Sequence, residues 1–102
     1  DHRDIGKERA SYVVNSINFS NEFSLDAEAA SLKYLDKTIQ ISGEITEITD
    51  DFITINDKIV CYVNKSLIDN NLLNSQIIIK GRCIGFDELM EEIKLDECTI
   101  IN

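Results

Sequence analysis

The side chains able to do chemistry in this sequence are few in kind: three cysteines, one histidine and two runs of carboxylates. The carboxylates fall in segments that read as turns, Asp50-Asp51 and Asp87-Glu88 with Glu91-Glu92. Either run could offer oxygen ligands to a hard cation such as calcium, but such a site needs several converging oxygens. Neither has the ordered spacing of a dedicated loop, so both read as solvated turn charge and no metal ligand is assigned. The single histidine, His2, stands at the start of the chain. A histidine-based general acid, catalytic triad or zinc site therefore has no material. There is no Cys-x-x-Cys pair, no phosphate-cradling glycine loop and no nucleophile elbow. The chain reads as non-enzymatic and without a cofactor.

Two of the cysteines sit in a closing β-hairpin. Ile77-Ile-Ile-Lys-Gly-Arg-Cys83 leads into the acidic loop and Lys94-Leu-Asp-Glu-Cys98-Thr leads out of it. Centring that hairpin on Leu89-Met90 sets Cys83 and Cys98 roughly opposite one another on the inward face. Opposite residues of an antiparallel pair have Cβ atoms about 4.5–5.5 Å apart, near disulfide reach, and such a bond contributes ~3 kcal/mol. The other reading is two buried thiols packing as small hydrophobes. Cys61, inward on an earlier strand, reads as inert core.

The elements that hold these residues follow from periodicity. Residues 1–10 are polar, contain Gly6 and read as a flexible tail or linker remnant ahead of a single domain over 11–102. From Ser11 to Tyr34, apolar residues Val14, Ile17, Phe23, Ala27, Ala30 and Tyr34 recur at helical spacing. Helices are expected near 12–22 and 25–35, with Ser24 as an N-cap. After Lys37 the period becomes two, with Ile39, Ile41, Gly43 and Ile45 on one face. Ile48 falls out of phase, which predicts a bulge near Thr46-Glu47. Phe52–Ile55 and Ile59–Val63 are the next strands, separated by an Asn56-Asp57 turn. A short helix is expected within 64–75, then strands over Ile77–Gly85 and Ile93–Ile101, with a second bulge near Asp96-Glu97. A three-strand meander, a helical connection and a hairpin make a mainly β fold. Its strand order is that of a five-stranded OB-like Greek-key barrel, here with an N-terminal helical segment and a short helix between strands three and four. Gly43 and Gly81 fall at inward mid-strand positions where a small barrel needs to bend.

Charge narrows the partners. The net charge is −9, and nucleic-acid binders draw most of their affinity from Lys and Arg that displace counterions from phosphate. In an OB barrel the loops after strands one and four flank the ligand face, and here both are acidic. Phe52 and Tyr62 are the best aromatic candidates on the meander, and Lys80 with Arg82 could form a small outward basic patch. Leu89-Met90, two apolar residues at the tip of the acidic loop, read either as a contact for a partner or as side chains folded back onto the barrel. No stretch approaches the ~18 apolar residues of a membrane span.

Tyr34-Leu-Asp-Lys-Thr-Ile-Gln-Ile-Ser-Gly-Glu-Ile45, Ile59-Val-Cys-Tyr-Val63, Ile79-Lys-Gly-Arg-Cys-Ile-Gly85 and Leu95-Asp-Glu-Cys-Thr-Ile100 together resemble the bacterial tRNA_anti-like OB-fold domains. The resemblance covers about residues 20–102. It implies the barrel fold and an extracytoplasmic home, since many such domains belong to lipoproteins or envelope proteins of unassigned role. It implies no activity. An oxidising envelope favours the disulfide reading of Cys83 and Cys98. The chain begins at Asp1 and not Met, which reads as a processed or trimmed product; a lipid-bearing cysteine would precede Asp1. The expectation is an envelope OB-fold module that binds a protein or small ligand through its acidic loops. The alternative is single-stranded nucleic-acid binding through Phe52, Tyr62, Lys80 and Arg82.

Overall fold

A computed structural model describes residues 3–101; Asp1 and His2 of the expected tail, and Asn102, lie outside the described residues. The chain runs β1 (Tyr12–Asn15), α1 (Ser16–Leu25), α2 (Ala27–Tyr34), β2 (Thr38–Ile48), β3 (Phe52–Ile55) and β4 (Ile59–Val63). Two 3-10 turns follow, Lys65–Leu67 and Asn70–Leu72, and then β5 (Gln76–Asp87) and β6 (Glu92–Ile100). Five strands close in the order β2-β3-β4-β6-β5 and back to β2, which is the expected OB-like barrel; β1 adds a sixth strand beside β2.

Strand β2 organises the closure. Its first half pairs antiparallel with β5, Thr38 to Glu44 against Arg82 to Gln76, and parallel with β1, Tyr12 to Asn15 against Ile39 to Ser42. Its second half turns to β3, and the register slips between Ile45 and Glu47 where the bulge was expected. The extra residue bends the strand so that one chain segment can serve two walls of a small barrel. Nine isoleucines, three cysteines and Leu95 line the inner face. The β-branched isoleucines suit a pleated surface, and burying each one stabilises the fold by about 1.5–3 kcal/mol. Gly43 lets α1 approach: a Cβ there would stand 2.5 Å from Ser16 Oγ and 2.6 Å from Ile55 Cγ2.

The N-terminal helices form a hairpin, and their start differs from the expected one. Tyr12-Val-Val-Asn is a strand, because its backbone completes the open edge of β2. Asn15 then caps α1, its Oδ1 accepting from Asn18 N at 2.8 Å, and Asp26, not Ser24, caps α2 by accepting from Ala29 N at 3.0 Å. Phe19, Phe23 and Tyr34 bury one face as an aromatic cluster that Phe23 extends to Phe86 of β5 at 5.3 Å. The Tyr34 hydroxyl donates to the Glu22 carboxylate and Lys33 bonds the same carboxylate at 3.0 Å. Partial burial works to raise Glu22, but these two donors outweigh it and hold the carboxyl below its ordinary value.

Residues 3–10, expected to have little to pack, dock on the barrel. Ile5 is buried, and Arg3 forks onto Glu8 at 2.8 and 3.0 Å while reaching Asp36 at 2.9 Å. Glu8 also accepts from Thr38 Oγ1 at 2.6 Å, and Lys80 Nζ donates to its carbonyl at 2.7 Å. An isolated isoleucine in a polar run carries no periodicity, so only its partners reveal its role.

The 64–75 connection forms the two short 3-10 turns in place of one helix, capped by Asn64 and Asp69. Asn56 and Asp57 both adopt positive φ, 54° and 58°, as a two-residue hairpin turn requires. The last hairpin is centred on Leu89-Met90 as expected, with Asp87 facing Glu92, but Cys83 faces Leu95 and not Cys98. An extra residue on β5 between Cys83 and Gly85 shifts the count, and all three cysteines are free thiols. The second expected bulge is present: both β4 and β5 see one extra residue on β6 at Asp96-Glu97, where Glu97 adopts a φ of 50°.

Two outcomes test this architecture. Replacing Gly43 by alanine forces α1 away from β2 and is expected to cost about 2 kcal/mol, measured by urea unfolding. Hydrogen bonds from Arg3 and then Thr38 hold the Glu8 carboxyl down at about 2, against 4.5 ordinarily. Its folded pKa is depressed, so its stabilisation is complete above pH 4.5 and fades as the pH falls towards 2. The difference in urea midpoint between wild type and Glu8→Gln should accordingly be largest at neutral pH and shrink at pH 3; a difference independent of pH would remove this contact from the account.

Candidate ligand-binding face

The outward side of β3 and β4 carries Phe52 and Thr54 on one strand, Tyr62 and Val60 on the other, in register as Phe52 with Tyr62 and Thr54 with Val60. The two aromatic rings meet edge to face, 5.6 Å between centroids at 67°, and both are half-buried. Such a cross-strand pair stabilises the sheet and still presents π surface to solvent. Thr54 beside it is buried, its hydroxyl donating to Glu47 at 3.2 Å. The open part of the face is therefore the aromatic end.

Local chemistry fixes that end. Thr49 Oγ1 accepts from the backbone N–H of Asp51 at 3.2 Å and of Phe52 at 3.1 Å, which tightens the turn into β3. Val63 N donates back to the Asp51 carbonyl. Beyond the turn, Asp50 shares an open groove of about 360 Å³ with Lys65, Ile68 and Asn70 of the 3-10 connection.

The other acidic loop stands at the opposite end of β4. Ile93 N donates to the Lys58 carbonyl, and Lys58 reaches Glu91 at 3.6 Å, which ties the loop to the Asn56-Asp57 turn. Asp87 Oδ1 accepts from Leu89 N and Met90 N at 3.0 and 3.2 Å, so a carboxylate and not the apolar side chains holds the loop tip. Leu89 is 96% exposed and Met90 63%. Neither folds back on the barrel. They are separated from Phe52 and Tyr62 by the length of β4, five residues or about 15 Å.

The basic pair is engaged inside the molecule. Arg82 meets Asp96 in bidentate fashion, Nε to Oδ1 at 2.9 Å and Nη2 to Oδ2 at 2.7 Å, with Glu97 at 3.6 Å and Asp36 at 3.8 Å. Lys80 is turned to the Glu8 carbonyl. The register between the two bulges of the hairpin sets Asp96 across from Arg82. Of the six binding residues expected from sequence, the fold joins Phe52 to Tyr62, sets Lys80 and Arg82 together on β5, and leaves Leu89 and Met90 at the far loop.

One residue escaped the sequence reading. Lys94 lies on β6 across from Val60 of the same face and makes no ion pair among the described residues. Its signal was the alternation Ile93-Lys94-Leu95, which puts its side chain outward. Among the described residues, no group of three or more His, Cys, Asp or Glu converges as a metal site would require.

Comparison with known proteins bears on the fold. No curated protein matches the chain. A solved structure described as a "putative nucleic acid-binding lipoprotein" from Klebsiella pneumoniae subsp. pneumoniae MGH 78578 is similar in fold. It has a TM-score of 0.67 and 17% sequence identity, covering 88% of this chain and 91% of that one. The sequence also matches the tRNA_anti-like family over residues 1–90. A five-stranded OB barrel with one added edge strand and two short helices is thus the form that this sequence pattern takes, and the chain belongs to the tRNA_anti-like family.

Proposed function

We propose that this chain is a non-enzymatic interaction module of the cell envelope that binds a positively charged protein segment or small ligand across the β3–β4 face. The reading rests on one observation: the expected phosphate ligands Arg82 and Lys80 are engaged within the molecule, whereas the turn carboxylates Asp50, Asp51, Glu88 and Glu92 make no ion pair among the described residues. These unpaired carboxylates stand at both ends of the face. A cation approaching it is attracted and a phosphate backbone repelled. Phe52 and Tyr62 supply a ring surface for an aromatic, aliphatic or guanidinium group. Envelope placement draws its support from the lipoprotein description of the similar structure, with a lipid anchor upstream of Asp1 as the means of attachment. No helix of the described residues is long and apolar enough to cross a membrane.

Single-stranded nucleic acid is the second reading. The half-exposed Phe52–Tyr62 pair is of the kind on which bases stack, and the similar structure is described as nucleic acid-binding. Lys94 and Lys65, not Lys80 and Arg82, would meet the phosphates.

An amide chemical-shift titration separates the two. A lysine- and arginine-rich peptide should move the signals of Asp50–Phe52, Tyr62 and Glu88–Glu92. Mixed single-stranded DNA and RNA oligomers should move none at low salt. Oligonucleotide shifts at Phe52, Tyr62 and Lys94 that vanish near ~200 mM salt, without any response to the peptide, would replace the first reading by the second. Two substitutions sharpen the test. Tyr62→Ala should weaken peptide binding about tenfold, or about 1.4 kcal/mol. Changing Leu89 and Met90 to serine together should leave stability within ~0.5 kcal/mol, as exposed positions do, while reducing affinity.

A further inference from the structure

The three thiols of the barrel are unequal in their surroundings. Cys83 faces Leu95 across β5 and β6, and burial raises its thiol to about 11. Cys61 and Cys98 lie on β4 and β6, which run side by side in parallel, with Cys61 level with Leu95 and Cys98 level with Val63. Between those two rungs β4 advances by two residues and β6 by three. The extra residue at Asp96-Glu97 resets the alternation, so that Glu97 is exposed and Cys98 joins Cys61 in the core. Gly81 seats the sulfur: a Cβ on Gly81 would strike Cys98 Sγ. Cys98 also lines an open groove of about 570 Å³ between the docked N-terminal turn and the Asn64–Leu67 connection.

We propose that Cys61 and Cys98 form a disulfide across the β4–β6 seam when the chain folds where a small or protein disulfide serves as oxidant, and that Cys83 stays a thiol. The reaction is two successive exchanges. One thiolate attacks the oxidant's disulfide, expelling one thiol and leaving a mixed disulfide on the cysteine. The second cysteine then attacks that protein sulfur and expels the other thiol. The two cysteines lose two protons and two electrons, and the oxidant becomes two thiols. In the closed barrel this exchange is slow, because contact with Cys61 and burial hold the Cys98 thiol well above its ordinary value and thiolate is scarce. The bond therefore forms as the barrel closes, when its sulfurs still meet solvent and the bulge already chooses the pair.

Unfolding the reduced protein in urea and refolding it in a glutathione redox buffer tests the proposal without depending on where the protein resides. The folded product should be two hydrogens lighter than the reduced chain, with one alkylatable thiol in place of three, and peptide mapping should join Cys61 to Cys98. Cys83→Ala should give the same cross-link, and its thermal unfolding midpoint should fall when reductant is added. Cys61→Ala and Cys98→Ala should each refold with no intramolecular bond. Three thiols after refolding, or a cross-link that includes Cys83, would overturn the assignment. Because the oxidant is supplied in the tube, a negative result counts against the pairing itself and leaves the envelope reading to be judged separately.

Discussion

A small barrel must bend one continuous strand around a core too narrow for helices, and β2 carries that demand here. Its first half is hydrogen-bonded on both edges, to β1 and β5, and its second half to β3. Neither set of pairs could form without the slip between Ile45 and Glu47 that redirects the strand. Gly43 sits just before the slip, where α1 presses closest. The helices, the extra strand and the isoleucine core all depend on that one bend, because each packs on a part of β2 that the bend has aimed.

A second bend, in β6, decides what the surface offers. Together with the extra residue on β5 it brings Asp96 to Arg82, and it exposes Glu97 and buries Cys98. The two backbone irregularities of this hairpin therefore withdraw the strongest cation from the surface, and the one on β6 also composes the thiol pair of the core. The acidity of the face follows from this withdrawal as much as from composition, since a guanidinium held by three carboxylates adds little attraction for phosphate.

Much of the barrel is readable from alternation alone. β3 and β4 fall where Phe52–Ile55 and Ile59–Val63 predict, and both bulges announce themselves as breaks in phase at Ile48 and Cys98. What escapes are features whose cause lies elsewhere in the chain. Tyr12–Asn15 reads as helix because its apolar spacing joins that of α1, and only the unfilled edge of β2 makes it a strand. Ile5 has no pattern around it. The partners of Cys83 and Arg82 depend on two bulges of opposite sense, one on each strand of the hairpin, and a one-residue slip reassigns every opposite pair. For the candidate site, the aromatic pair is legible because turn and strand lengths fix its register. The engagement of Lys80 depends on a segment more than seventy residues away and is not.

The seam between β4 and β6 also dictates an order of events in time. Synthesis delivers a polypeptide from its amino end, so β6 is the last barrel strand to become available. Until it arrives, β4 and β5 each lack a neighbour and the sheet stays open on the side that buries Leu95, Cys98 and Ile93. The barrel thus cannot close until its final strand emerges. Nine residues then act as the latch.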